Sequence, residues 1–348
     1  LAVALCRAYN SYMADDCRGY DNRLKPIGVL PLQDVDAAVA EMHRCINELG
    51  MIGVAIAPNQ PIPHPAAPEA FPEVRTCKSI SHPDFRPILK AAEELGIALG
   101  IHGGPGSQMV GGISDHMETF VLNHIFVQRN QQQMALARMV FDGAFEECPN
   151  LRVGFLEGAC GWIPDLAHAY HEHWEKRVRD FDPKKPYRPS LMEFTKLMIQ
   201  EKGGRNDLNI VSQAKNLFSL LWNREHDPEK IDDASLYEHY DLRHRDPLDY
   251  FRRGQVFASF ESDDPGPKYL PIGMGEMGRH IACFSGDYGH WDGVLQDCVK
   301  DAAALYEDER DYLGLLLAGN ALALYGDRLR NSLAERYTEA AAAVTVNA

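Results

Sequence analysis

The feature that most constrains this 348-residue chain is an alternation of short, almost uninterrupted apolar runs with amphipathic helical stretches. Ile27 to Leu32 is the first run, and Asp34 then opens a helix with apolar positions at Ala37, Val39, Met42 and Ile46 that stops at Gly50. Ile52 to Ala57 is the second, followed by a proline-rich loop and a helix from Pro83 to Gly96. Ile97 to His102, Leu151 to Glu157, Gln255 to Glu261 and Ile281 to Phe284 continue the series, with helices read over Gln131 to Cys148 and Trp162 to Arg177. Runs that are apolar at nearly every position, not at alternate ones, belong to strands buried on both faces. They predict a parallel sheet covered by helices, an α/β chain.

Residues 182 to 248 interrupt the rhythm with Pro183, Pro186, Pro189, many charges and helix-like pieces at Leu191 to Ile199 and Ala214 to Trp222. This stretch reads as a helical insertion, a lid or a subunit contact, and residues 340 to 348 read as a frayed tail. A length of 348 residues suits either two domains or one large barrel. With 35 Lys and Arg against 50 Asp and Glu, the net charge of −15 repels nucleic acid and anionic membrane surfaces. No apolar stretch approaches the roughly 18 to 20 residues that span a bilayer. The expectation is a cytoplasmic protein with a small-molecule substrate. Its eight cysteines are scattered without a C-x-x-C pair, so they read as reduced, mostly buried thiols.

Polar groups sit where the apolar runs end. His102 closes the third run, Glu157 the fourth and Glu261 the fifth, while Asp287 lies just past the sixth. In a closed parallel barrel these ends converge on one face, where active sites of that fold lie. A nitrogen donor from one strand and a carboxylate from another make half of a catalytic divalent-metal site. Singly, each is commoner as a structural residue; the shared position is what points to function. His171-Glu172-His173 falls on a predicted helix, where rings at i and i+2 point to different sides, so it reads as solvated surface. Gly273 to Gly278 fits a dinucleotide pattern but precedes a strand, where no helix N-terminus receives a pyrophosphate.

The segments HPDFRPILKAAEELGIALGIHGG (82–104), PNLRVGFLEGACGWIPDLAHAYHEHWE (149–175), YFRRGQVFASFESDD (250–264), FSGDYGHWD (284–292) and GNALALYG (319–326) together resemble the amidohydrolase-related proteins, which include aminocarboxymuconate semialdehyde and resorcylate-type decarboxylases. The resemblance implies a single-domain TIM-type (β/α)8 barrel over residues 1 to 348. It also implies one divalent metal, zinc with manganese or iron as alternatives. Members hold the ion with an H-x-H pair after the first strand, a histidine after the fifth and an aspartate after the eighth. On that count the six runs are strands three to eight, the first two strands and the H-x-H are absent, and His102 and Asp287 are the two remaining ligands. A chain that begins at Leu1 inside a helical pattern then reads as truncated.

Where the decarboxylases carry a catalytic histidine after the sixth strand, this chain has Leu156-Glu157-Gly158-Ala159. Glu157 substitutes as an acid–base group if burial raises its pKa, and the departure shifts weight toward hydrolysis. Asp287 is expected to bind the metal and move a proton, and His290 to orient Asp287 or touch substrate. Glu261 and Trp291 are expected to line the substrate site, with Arg253, beside Arg252, neutralising a substrate carboxylate. The expected protein is a metal-dependent hydrolase or non-oxidative decarboxylase of a small carboxylated or aromatic compound, assembled as a homo-oligomer (dimer or tetramer). The competing expectation is an incomplete barrel unable to hold metal.

Overall fold

The computed structural model describes residues 1–20, 23–63, 75–103, 118–175, 179, 190–201, 213–215, 217–218, 245–290, 293 and 297–333. Each predicted apolar run contains a strand: β1 (Gly28–Val29), β2 (Gly53–Ile56), β5 (Ala98–His102), β6 (Arg152–Leu156), β7 (Val256–Phe260) and β8 (Ala282–Phe284). They form one six-stranded parallel sheet in the order β1-β2-β5-β6-β7-β8. One sheet face turns Val54, Leu99, Ile101, Val153 and Phe155 into the buried core. Such burial on both sides is why the runs lack a polar alternate position.

On the face carrying Ala98, Leu324 packs with Phe257 and Cys283, and Tyr325 lies against the same cluster. A Cβ on Gly154 would stand 3.1 Å from Leu324 Cδ2, so a side chain here would push the C-terminal helix away. That helix, Asn320–Ser332, follows a π-helical turn at Leu315–Gly319. Buried Asn320 anchors it by donating from Nδ2 to the Ala282 and Arg279 carbonyls at 2.7 and 3.0 Å.

Three differences from the sequence expectation have local causes. The proline-rich loop contains an antiparallel hairpin, β3 (Asn59–Pro63) with β4 (Arg75–Ser79). Its prolines and polar residues hide any period of two. The helix expected from Gln131 begins eleven residues earlier, running Phe120–Phe141 with the Thr119 hydroxyl accepting from Leu122 N. The helix Val35–Asn47 buries Ala38, Glu41, Met42, Cys45 and Ile46, a face rotated from the predicted one because it includes a carboxylate. All eight cysteines are free thiols.

The chain divides into two compact units, one of Leu1–His171 with Pro247–Ala348 and one of Glu172–Asp246. In the second, the helix Leu191–Glu201 starts with a reciprocal cap. Ser190 Oγ accepts from Glu193 N at 3.2 Å while Glu193 Oε2 accepts from Ser190 N at 2.7 Å. Predicted Ala214 to Trp222 is helical at residues 213–215 and 217–218; the rest lies outside the described residues, as does the tail at 340–348. No helix among the described residues is long and apolar enough to cross a membrane.

Glu41 explains how the edge of the sheet is held. Val29 turns its N–H and C=O away from β2, toward the N-terminal helix Ala2–Asp16. There the buried Asn10 amide substitutes for a neighbouring strand, accepting from Val29 N at 2.8 Å and donating to Val29 O at 3.0 Å. Asn10 also donates to Glu41 Oε1 at 2.8 Å, and Glu41 takes further bonds from Arg44 and Arg7. Burial alone would raise the Glu41 carboxyl, but the bonds from Arg44 and Asn10 hold it below its ordinary value. Asn10→Ala leaves two partly buried backbone groups without partners and takes one bond from a buried carboxylate oxygen. We expect a loss of about 2–4 kcal/mol, seen as a lower midpoint in denaturant unfolding; an unchanged midpoint contradicts the edge-strand role.

Candidate active site

The C-terminal ends of the strands open into a cavity of about 740 Å³. His102 is the last residue of β5, Glu157 follows β6, Glu261 follows β7 and Asp287 follows β8, and all four line this cavity together with His290. Parallel pairing makes this unavoidable, because every strand delivers its last residue to the same rim. Trp291 lies outside the described residues.

Two of these residues sit in backbone conformations that side chains disfavour. Glu157 has φ 57° and Asp287 φ 46°, each left-handed at a cost of about 1–2 kcal/mol. The surroundings enforce it. Glu157 N donates to Ser259 Oγ in β7 at 2.8 Å. Buried Gln132, from the helix Phe120–Phe141, donates to the carbonyls of Ile101 at 2.9 Å and Leu156 at 2.6 Å, tying the ends of β5 and β6 together.

The polar groups pair across strands. His102 Nε2 lies 3.0 Å from Glu157 Oε2, which also accepts from Gln128 Nε2 at 3.1 Å. His102 Nδ1 bonds to the Gly103 carbonyl, so both ring nitrogens donate, the pattern of an imidazolium. The bond to Glu157 raises the His102 pKa and, in return, lowers that of Glu157. The condition set for Glu157, a pKa raised by burial, is therefore not met: the bond from His102 outweighs burial. Glu261 behaves oppositely, raised first by burial and then by Asp287. Asp287 Oδ1 bonds to His290 Nδ1.

Single donor atoms of Glu157, Asp287 and His290 all lie within 4.8 Å of one another. Two carboxylate oxygens and one imidazole nitrogen are a donor set that suits a divalent cation of the zinc, manganese or iron type. Of the expected ligand pair this cluster contains Asp287 but not His102, which meets it through Glu157. The His171 to His173 pair stays on the helix Ile163–Trp174 and does not line the cavity.

Arg253 is not brought here. It ends the turn before β7, so the strand carries it to the opposite rim, where it pairs with Glu146 at 3.9 Å. The cation that does line the cavity is Arg129, with His124 and Gln128, all from the helix Phe120–Phe141 and all ahead of its predicted start. Their signal was weak, a few polar residues inside an otherwise apolar helical stretch. Phe120 and Ile125 supply apolar wall.

Residues 1–202 match the sequence profile of the family described as Amidohydrolase. The chain is 29% identical over 157 residues to 2-amino-3-carboxymuconate-6-semialdehyde decarboxylase of Dictyostelium discoideum, an alignment that covers 45% of this chain and 38% of that protein. The chain therefore matches well under half the length of this relative. A crystal structure of 2,6-dihydroxybenzoate decarboxylase complexed with 2,6-dihydroxybenzoate superposes with a TM-score of 0.61 at 18% identity, covering 93% of this chain and 77% of that one. A dihydroxybenzoic acid decarboxylase from Polaromonas sp. JS666, with bound manganese and 2-nitroresorcinol, gives a TM-score of 0.58 at 15% identity, covering 94% and 77%. The six parallel strands are staves of a TIM-type barrel.

The paired shifts set a pH window. Glu157 is held below its ordinary 4.5, so its contribution to stability is present above that value and fades as acid protonates it. His102 is held above its ordinary 6.5, so its contribution is complete below 6.5 and is lost as pH rises through the raised value. His102→Gln should therefore lower the melting temperature of metal-free protein most between about pH 4.5 and 6.5, and reduce its fall on the acid and alkaline sides of that window. With 41% of the His102 side chain exposed, the effect stays below about 1 kcal/mol. Parallel profiles for variant and wild type would contradict the pairing.

Proposed function

Since this chain belongs to the amidohydrolase family, we propose that it forms the catalytic rim of a divalent-metal-dependent carboxy-lyase acting on a small aromatic or conjugated carboxylate. The observation that carries the reading is the convergence of His102, Glu157, Glu261, Asp287 and His290, delivered by the ends of four strands and the loops beyond them, on one cavity. The decarboxylases among its relatives favour loss of carbon dioxide over hydrolysis.

Glu157, Asp287 and His290 would hold the ion. When bound, a divalent cation supplies fixed positive charge that draws in an anionic substrate and offsets the crowded carboxylates. Manganese, present in the Polaromonas relative, fits this oxygen-rich donor set as well as zinc. Arg129 adds a cation at the cavity and forms no ion pair among the described residues, so it would receive the substrate carboxylate. Phe120 and Ile125 offer apolar surface to a ring.

In the reaction the bond between the ring carbon and the carboxylate breaks, carbon dioxide leaves, and the electron pair stays on carbon. That carbon takes up one proton for each carbon dioxide released. Asp287 lines the cavity and would deliver that proton. His290, whose Nδ1 is bonded to Asp287, would orient that carboxyl, and the proton would return to Asp287 from water. Glu157 remains ionised through His102 and keeps the ring of His102 in place.

Asp287→Asn is the sharpest test, because asparagine tolerates the left-handed backbone that this position adopts. After dialysis against manganese or zinc, we expect about one ion per wild-type chain by elemental analysis, and carbon dioxide release from one or more hydroxybenzoates. The variant should lose activity by about 10²- to 10⁴-fold while its melting temperature changes little. A chain that binds no metal, or a variant that decarboxylates as fast as wild type, would remove this assignment.

A further inference from the structure

The opposite rim of the sheet holds a second cavity, of about 1080 Å³, and its charge is the reverse of the chain's. Against a net charge of −15, it is lined by Arg152, Arg252, Arg253, Arg328 and Arg330, with Asp327 the only carboxylate among its described lining residues. These arginines come from three separate segments. Arg152 begins β6, Arg252 and Arg253 close the helix Leu248–Arg252 ahead of β7, and Arg328 and Arg330 ride on the C-terminal helix. We infer that this cavity is a binding site for a small molecule carrying two or more oxyanion groups, phosphate or carboxylate.

The protein's own groups leave this charge incompletely answered. Arg330 meets Asp327 at 3.2 Å, yet its Nε is buried without a hydrogen-bond partner. Arg253 reaches Glu146 only at 3.9 Å, and Arg328 forms no ion pair among the described residues. Arg152 is half-buried against carbonyls alone, donating to Leu324 O at 2.7 Å and Gly96 O at 2.6 Å. Burial pulls its pKa below the ordinary value, and Arg330 adds to the effect against the opposing pull of Asp327.

Arg152 by itself has a structural explanation. The C-terminal helix breaks at Gly326, with φ 62°, and a Cβ there would lie 2.8 Å from Arg152 Nη2. Arg152 thus secures the break, and Gly326 gives it room. Arg252 pairs with Asp249 at 2.5 Å, but that leaves Arg328 without an ion pair among the described residues and Arg253 and Arg330 only partly answered, the first by a 3.9 Å contact and the second with its Nε unpartnered. Every one of the five is an arginine and none a lysine, which matters because the planar guanidinium binds phosphate or carboxylate oxygens in pairs. A ligand with one anionic group would satisfy one or two of them; their spread over three segments calls for at least two groups.

The test is titration calorimetry of the whole chain at low salt, with pyrophosphate and citrate as probes. It is repeated on the Arg253→Gln/Arg328→Gln double variant and on His102→Ala. We expect saturable binding at one site per chain, weakened by added salt, reduced by about tenfold or more in the double variant and unchanged in His102→Ala. Tighter pyrophosphate marks a phosphorylated ligand and tighter citrate a polycarboxylate. Should the double variant melt early, Arg328→Gln alone breaks no ion pair among the described residues and serves the same comparison. Absence of saturable binding at millimolar probe overturns the inference. So does binding that His102→Ala weakens and the arginine variants do not.

Discussion

Parallel hydrogen bonding among β5, β6, β7 and β8 is the constraint on which the rest of the molecule depends. It fixes one direction for every stave, so residues just past a strand collect on one rim and residues just ahead of it on the other. His102, Glu157, Glu261 and Asp287 end or trail their strands; Arg152 and Arg253 begin or precede theirs. The two rims consequently acquire opposite chemical character, one rich in carboxylates and imidazoles, the other in guanidinium groups.

Collecting carboxylates in one cavity is electrostatically unfavourable, and the local structure shows how the repulsion is contained. His102 answers Glu157, His290 answers Asp287, and Gln128 adds a donor to Glu157. Glu261 has no such partner among the described residues, and its carboxyl is pushed up. Holding these groups together also requires left-handed backbone at Glu157 and Asp287, sustained at Glu157 by the Ser259 hydroxyl and by Gln132 bridging two strand ends. Conformational strain of this kind persists only where neighbours over-determine the geometry, and it gathers at sites that do chemistry.

Elsewhere the fold uses a single side chain where regular pairing ends. Asn10 answers the outward edge of β1, and Asn320 anchors the C-terminal helix to the carbonyls around β8. Both are buried amides, each satisfied by backbone groups, and neither belongs to a periodic pattern. Nothing in the spacing of Asn10 or Asn320 distinguishes them from surface asparagines.

Six strands and the residues at their ends could be read directly, because continuous apolar runs have one favourable fate and strand direction then places the residues beyond them. The β3–β4 hairpin is hidden since neither strand alternates, and the helix Val35–Asn47 turns a different face inward from the predicted one since its buried side includes Glu41. Arg253 looks like a substrate contact until strand polarity sends it to the far rim. Local sequence thus determined the strands, their order of appearance and the positions of the ionisable groups, all of which depend on near neighbours in the chain. Only the folded arrangement decided which groups share a proton, which way each pKa moves and which helix closes the cavity. Those outcomes depend on distances between residues far apart in sequence, such as His102 and Glu157, which local sequence does not encode.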